Sequence, residues 1–184
     1  GGIVVFDHNG KFKWQNVQPS LNFHWGGPAI ADLDGNGKPD IIYANKVFSS
    51  DGVLKWEGSA YSGGNLSIVA DLNMDGNPKV VAGASAYSAT GQLVWQNTAV
   101  GNGMAAIANF NQDPYPEIVI VTGGRIFMLD HLGNIIWGPV AIPGGGGGPP
   151  TVGDMDGDGI PEIGVAGASF YSVFRADGSV LWSS

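Results

Sequence analysis

Asp154-Met155-Asp156-Gly157-Asp158-Gly159-Ile160-Pro161-Glu162 runs directly into the apolar stretch Ile163-Gly164-Val165. Oxygen side chains at every second position, with glycine for the tight bend, form the pattern a hard cation requires. The same unit recurs upstream. Asp32-Leu33-Asp34-Gly35-Asn36-Gly37-Lys38-Pro39-Asp40 leads into Ile41-Ile42, and Asp71-Leu72-Asn73-Met74-Asp75-Gly76-Asn77-Pro78-Lys79 leads into Val80-Val81. Asn109-Phe110-Asn111-Gln112-Asp113-Pro114-Tyr115-Pro116-Glu117 leads into Ile118-Val119. A unit repeated at this period is one supersecondary element stacked on its copies, so the repeat decides the architecture.

A second marker keeps the same period. Gly10, Gly52, Gly91, Gly133 and Gly178 each precede a tryptophan by four residues: Trp14, Trp56, Trp95, Trp137 and Trp182. Four residues before each glycine stands a large apolar side chain: Phe6, Phe48, Tyr87, Leu129 and Phe174. Each unit therefore contains a hairpin with a glycine-bearing turn. Tryptophan repeated at this spacing suits the sealing of gaps between stacked units better than ligand binding.

Composition agrees with an all-β chain. Of 184 residues, 31 are glycine and 11 proline, too much punctuation for long helices. No apolar run approaches the roughly 20 residues of a membrane span. Cysteine is absent, so there is neither a disulfide framework nor a thiol nucleophile. The net charge of −8 resides mostly in the four loops, and the eight basic residues are dispersed. That distribution argues against nucleic acid or an anionic membrane as partner. The chain begins Gly-Gly without a signal peptide, which reads as a mature, trimmed or excised segment.

The loops, the strands after them, and the Gly-Ala turns of Val81-Ala82-Gly83-Ala84 and Val165-Ala166-Gly167-Ala168 resemble the FG-GAP (VCBS-type) repeats of integrin α-subunit-like, calcium-binding propellers and bacterial surface proteins. The resemblance implies a β-propeller of four-stranded antiparallel blades, with each calcium loop joining a blade's first strand to its second. Mapped onto the chain, residues 1–16 supply a two-stranded C–D hairpin. Residues 27–57, 64–96, 102–137 and 147–182 supply four whole blades of a single partial propeller domain. A parent propeller of about six to eight blades lies in the usual range for the architecture. Its open edges call for flanking blades or a second chain.

The loops differ in their ligand sets. The first offers Asp32, Asp34, Asn36, the Lys38 carbonyl and Asp40; the fourth offers Asp154, Asp156, Asp158, the Ile160 carbonyl and Glu162. Oxygen-only donors point to Ca2+ in both. Four carboxylates in the fourth loop repel one another without a cation. The third loop offers Asn109, Asn111, Asp113, the Tyr115 carbonyl and Glu117, a weaker set stiffened by Pro114 and Pro116. In the second, Lys79 replaces the last carboxylate and can neutralise Asp71 and Asp75 in place of an ion, so Asp71, Asn73 and Asp75 rank lowest.

Repetition argues for structural metals, because active sites are single while scaffolding is copied. The resemblance places the calcium loops on the face opposite the usual ligand surface. A ligand is then expected around Trp25, His24, Tyr61, Arg125 and Tyr171, in the inter-blade loops and B–C turns. Aromatic faces with a few polar groups suit a sugar or a protein hot spot. Gly144 to Gly148 lacks the lysine and helix of a phosphate loop and reads as a flexible connector.

The leading expectation is a non-enzymatic, calcium-stabilised extracellular or cell-surface module that binds protein or glycan. One alternative is the propeller of a secreted polysaccharide lyase, in which Lys46 and Arg125 would have to serve without an evident partner. Another is a structural subunit of a surface fibre or assembly.

Overall fold

The computed structural model describes residues 2–16, 26–60 and 66–184. Every regular element among them is a β-strand. β1 (Ile3–Phe6) and β2 (Phe12–Asn16) form a hairpin. Four antiparallel sheets of four strands follow, each an unbroken meander. The first holds β3 (Ala29–Ala31), β4 (Asp40–Tyr43), β5 (Lys46–Phe48) and β6 (Leu54–Glu57). The second holds β7 (Ser67–Ala70), β8 (Lys79–Ala82), β9 (Ser85–Ser88) and β10 (Leu93–Gln96). The third holds β11 (Met104–Ala108), β12 (Glu117–Thr122), β13 (Arg125–Leu129) and β14 (Ile135–Ala141). The fourth holds β15 (Thr151–Gly153), β16 (Glu162–Ala166), β17 (Tyr171–Phe174) and β18 (Val180–Ser183).

Successive sheets approach through their first strands, β3 to β7, β7 to β11 and β11 to β15. Sheets standing side by side in this way are propeller blades in an open arc. The stacking explains the sequence pattern of the second strands. β4, β8 and nearly all of β12 are buried, because each of these blades is covered by a neighbour on either side; β16 of the fourth blade is buried over its first four residues. A strand covered on both faces reads as a continuous apolar run. The outermost strands β6 and β10 instead keep one half-buried position, which holds the tryptophan, whereas in β18 Trp182 is exposed.

The core is correspondingly divided into layers between blades. Ile3, Val5 and Trp14 of the hairpin pack on Ile41, Tyr43 and Phe48 of the first blade. Leu33, Ile42 and Val47 meet Val80 and Tyr87 across the next gap. Leu72, Val81 and Ala86 meet Ile118, Ile120 and Leu129, and Phe110, Val119 and Val121 meet Ile163, Val165 and Phe174.

The tryptophans close these gaps from the outside. The indole N–H of Trp14 donates to the Ser50 carbonyl at 2.7 Å, Trp56 to Ala89 at 2.9 Å, Trp95 to His131 at 3.1 Å and Trp137 to Ala176 at 2.8 Å. Each acceptor lies two residues before the turn glycine of the following blade. A Cβ on Gly52, Gly91, Gly133 or Gly178 would sit 2.5 to 3.1 Å from the nearest indole carbon. Glycine is required twice at these positions: φ lies between 82° and 85°, and the ring occupies the space of a side chain. The turn that presents it has one form in all five hairpins. In the third blade, Gly133 N–H donates to the Asp130 carbonyl and Asp130 N–H to the Asn134 carbonyl. This is a type I turn closed by a left-handed glycine, with the bulge that such loops carry.

The glycine run between the third and fourth blades departs from the expected flexible connector. Gly145 N–H donates to Ile142 at 2.9 Å, Ala168 N–H to Gly145 at 2.7 Å and Gly148 N–H to Ala166 at 2.9 Å. A Cβ at Gly147 would meet Val121 and Ile142. The glycines let backbone approach backbone at this crossing, and the segment is packed.

Candidate metal loops and the blade faces

Each acidic loop joins the first strand of a blade to the second, and its ninth residue opens the second strand. Asp40, Lys79, Glu117 and Glu162 therefore occupy one structural position, and all four are buried. Residues at positions one, three and five are exposed except for the half-buried Asp71 and Asn73, and all of them but Asn73 accept hydrogen bonds from the loop's own backbone N–H groups.

The fourth loop brings its carboxylates together. Oxygens of Asp154, Asp156 and Glu162 lie within 4.8 Å of one another, the one such acidic or histidine group of three among the described residues. Asp154 accepts from Gly157 N–H at 2.7 Å and from Gly159 N–H at 3.1 Å. Asp158 accepts from Ile160 N–H at 2.8 Å, and Glu162 from Met155 N–H at 2.7 Å. The backbone thus orients an all-oxygen donor set toward one point. Asp158 stands outside the group of three. These residues fit a hard divalent cation, which would supply charge neutralisation and a tie between the first two strands of the blade.

The first loop is arranged differently. Asp32 accepts from Asn36 N–H at 3.1 Å and Gly37 N–H at 2.7 Å, as Asp154 does in its loop. Asp34 and Asp40, however, both receive the ammonium of Lys55, at 2.9 Å each. The hydrogen bond from Lys55 holds the Asp34 carboxyl below its ordinary value. Lys55 lies on the outer strand β6 of the same blade and was not singled out from sequence. Its one signal is a cation immediately before Trp56, where the second and third blades carry Val94 and Ile136.

In the second loop, the Lys79 ammonium donates to the Asn77 carbonyl at 2.6 Å and lies 3.5 Å from Asp75. Asp75 is held below its ordinary value by the Asn77 backbone N–H and by this lysine. Asp71 accepts from Asp75 N–H at 3.1 Å and Gly76 N–H at 2.7 Å, while Asn73 contributes no side-chain bond of this kind among the described residues. In the third loop, side-chain amides wire the turn internally: Asn109 and Asn111 both bond to Asp113. Tyr115 stacks on His131 with centroids 4.1 Å apart. Glu117 accepts from Phe110 N–H at 2.7 Å, and burial raises its carboxyl above the usual range.

Of the residues expected on the ligand face, Trp25, His24 and Tyr61 lie outside the described residues. Arg125 and Tyr171 open β13 and β17, the equivalent place in adjacent blades, and both are exposed. Tyr171 is engaged: its hydroxyl lies 3.0 Å from Thr151 Oγ1, and its ring leans on Trp182 at 5.8 Å. Lys46, expected to be without a partner, is buried and ion-paired with Glu57 across the β5–β6 register.

Comparison with known proteins adds the family of one segment. Residues 109–165 match the family model described as an FG-GAP-like repeat. Comparison with curated protein sequences gives no match. Among solved structures, the chain is similar to the V. cholerae biofilm matrix protein Bap1, with 26% identity and a TM-score of 0.70, over 86% of this chain and 28% of that one. It is similar in fold to rhamnogalacturonan lyase YesW, at 21% identity and TM-score 0.63, over 95% of this chain and 36% of the lyase. A Bacillus licheniformis rhamnogalacturonan lyase gives 21% and 0.62, over 96% and 36%. The chain spans only about a third of the length of these proteins. The segment from the third acidic loop through β16 is an FG-GAP-like repeat, within an all-β chain built of propeller blades.

Proposed function

We propose that this chain is a calcium-stabilised extracellular propeller module whose metals are structural and whose ligand is a protein or a glycan. The observation that carries the reading is the fourth loop, where Asp154, Asp156 and Glu162 converge and the backbone holds their oxygens in place. A cation bound by the folded loop and not by the unfolded chain stabilises the fold by mass action. The metal lies in a loop type copied from blade to blade, which supports scaffolding over catalysis. The likeness to a biofilm matrix protein supports an extracellular setting. No helix among the described residues is long and apolar enough to cross a membrane.

Ligand recognition is assigned to the face opposite the metal loops, around Arg125 and Tyr171, with Trp25, His24 and Tyr61 of the inter-blade loops assigned to the same face. A lyase is the second reading, favoured by the likeness in fold to two rhamnogalacturonan lyases. A lyase needs a base and a cation that neutralises the uronate carboxylate. Burial and pairing with Glu57 commit Lys46 elsewhere. A glycan array read with and without chelator, alongside an absorbance assay on rhamnogalacturonan and pectin, tests the assignment. Saturable binding without turnover supports it; formation of unsaturated uronate product overturns it in favour of the lyase.

A further inference from the structure

Asparagine is followed by glycine at Asn9-Gly10, Asn36-Gly37 and Asn102-Gly103. The pair is chemically special, because glycine has no side chain to keep its own nitrogen away from the preceding side-chain amide. The fold treats the three pairs differently.

Asn36 is exposed in the first acidic loop, on a blade packed against the hairpin on one side and the second blade on the other. Lys38 N–H donates to Asn36 Oδ1 at 2.8 Å. That bond folds the side chain back over the peptide between Asn36 and Gly37, which holds its amide carbon beside the Gly37 nitrogen. It also places a donor on the oxygen that gains charge if this carbon is attacked. Gly37 N–H in turn donates to Asp32 Oδ2 at 2.7 Å, so a carboxylate already holds the proton that the nitrogen must lose. The other two pairs lack this arrangement. Gly10 N–H donates to the Asp7 backbone carbonyl at 2.9 Å, and the Asn9 side-chain nitrogen lies 3.0 Å from the His8 ring. Asn102 is held by its backbone carbonyl, which accepts from the Thr122 hydroxyl, and Gly103 sits tightly against Ile120 and Val121.

We propose that Asn36 is a site of self-catalysed deamidation in the folded chain. The Gly37 nitrogen attacks Asn36 Cγ as its proton passes to the Asp32 carboxylate. The bond from Cγ to the side-chain nitrogen then breaks, and that nitrogen leaves as ammonia with the proton returned from Asp32. Water opens the resulting five-membered succinimide at either carbonyl, giving aspartate or isoaspartate. The net change exchanges the amide nitrogen for a water oxygen, with Asp32 regenerated and nothing oxidised or reduced. The aspartate product places carboxylates at 32, 34, 36 and 40, the pattern the fourth loop carries at 154, 156, 158 and 162. The isoaspartate product lengthens the loop backbone by one carbon at the same point. Neither the step nor its test rests on calcium or on the ligand reading.

The test is peptide mapping by mass spectrometry on the 184-residue chain, incubated in chelator at neutral pH either folded or in guanidinium chloride. In denaturant, each asparagine converts at the rate its local sequence sets. The expected result is that Asn36 converts about tenfold faster in the folded chain than in denaturant, as a positioned base and oxyanion donor act together. Asn9 and Asn102 should convert no faster folded than unfolded. Asp32→Asn keeps an acceptor for Gly37 N–H but removes the base, and should bring Asn36 down to its rate in denaturant. The comparison of folded and denatured unsubstituted chain decides the matter even where Asp32→Asn does not fold. An Asn36 rate in the folded chain that does not exceed its rate in denaturant overturns the proposal. So does equal acceleration at Asn9 or Asn102, or an undiminished rate in folded Asp32→Asn.

Discussion

Replacing Gly133 by alanine tests whether indole packing at the turn glycines holds the blades together. Two costs are expected. An alanine at φ +84° carries a left-handed backbone strain of about 1–2 kcal/mol. Its methyl would also lie 2.5 Å from a carbon of the Trp95 ring, closer than contact allows. The ring cannot withdraw without breaking the 3.1 Å bond from its N–H to the His131 carbonyl. It is further hemmed in by the 2.8 Å bond from Asn97 to the Gly133 carbonyl. Overpacking of this kind costs about 1–3 kcal/mol more. Gly10→Ala is the control, since it has the same turn and a similar φ but no ring within 4 Å. Urea unfolding at low protein concentration and fixed free calcium, followed by tryptophan fluorescence, should show Gly10→Ala losing only the strain and Gly133→Ala losing strain and packing together. In a chain of this size each 1 kcal/mol corresponds to roughly 2–4 °C in Tm. Losses equal within about 0.5 kcal/mol would refute the packing argument.

The lysines in the loops make the metal reading testable site by site. Asp156→Asn removes one of three converging carboxylates, and calorimetric calcium titration should show at least a tenfold loss at the fourth loop, about 1.4 kcal/mol. Unchanged affinity would place the ion elsewhere. Lys55→Met frees Asp34 and Asp40 from the ammonium, so the first loop should bind calcium more tightly while the metal-free protein loses thermal stability. No change in either would mean that Lys55 and the ion do not compete. Lys79→Asp restores a carboxylate at the ninth position and should add a binding event to the titration; an unaltered stoichiometry would count against ninth-position control. Excess chelator should lower the Tm of the unsubstituted chain and leave Asp156→Asn less affected, which differential scanning calorimetry resolves.

The repeat, the strand order and the glycine–tryptophan hairpin were legible in the chain because they are local or periodic. An apolar run after a polar loop, or a glycine at fixed distance from a ring, needs no knowledge of distant residues. The convergence of Asp154, Asp156 and Glu162 was likewise legible, since the three carboxylates lie within nine residues of one another. The first loop shows where such reading stops. Its spacing is as regular as that of the fourth, yet two of its carboxylates are taken by Lys55, some fifteen residues beyond Asp40 in the chain. The glycine run at 144–148 meets the same limit. Composition indicates freedom of φ, but only the crossing of Gly145 and Ala168 shows that the freedom serves close packing.

The sequence by itself determined which segments become strands, where the chain turns and which loops carry oxygen donors, because these depend on neighbours a few residues apart. Tertiary structure alone decided which lysine reaches which carboxylate, and which glycine each indole covers, one blade further on. The physical reason is that a repeat codes every copy of a joint alike, whereas its satisfaction depends on what stands across the gap.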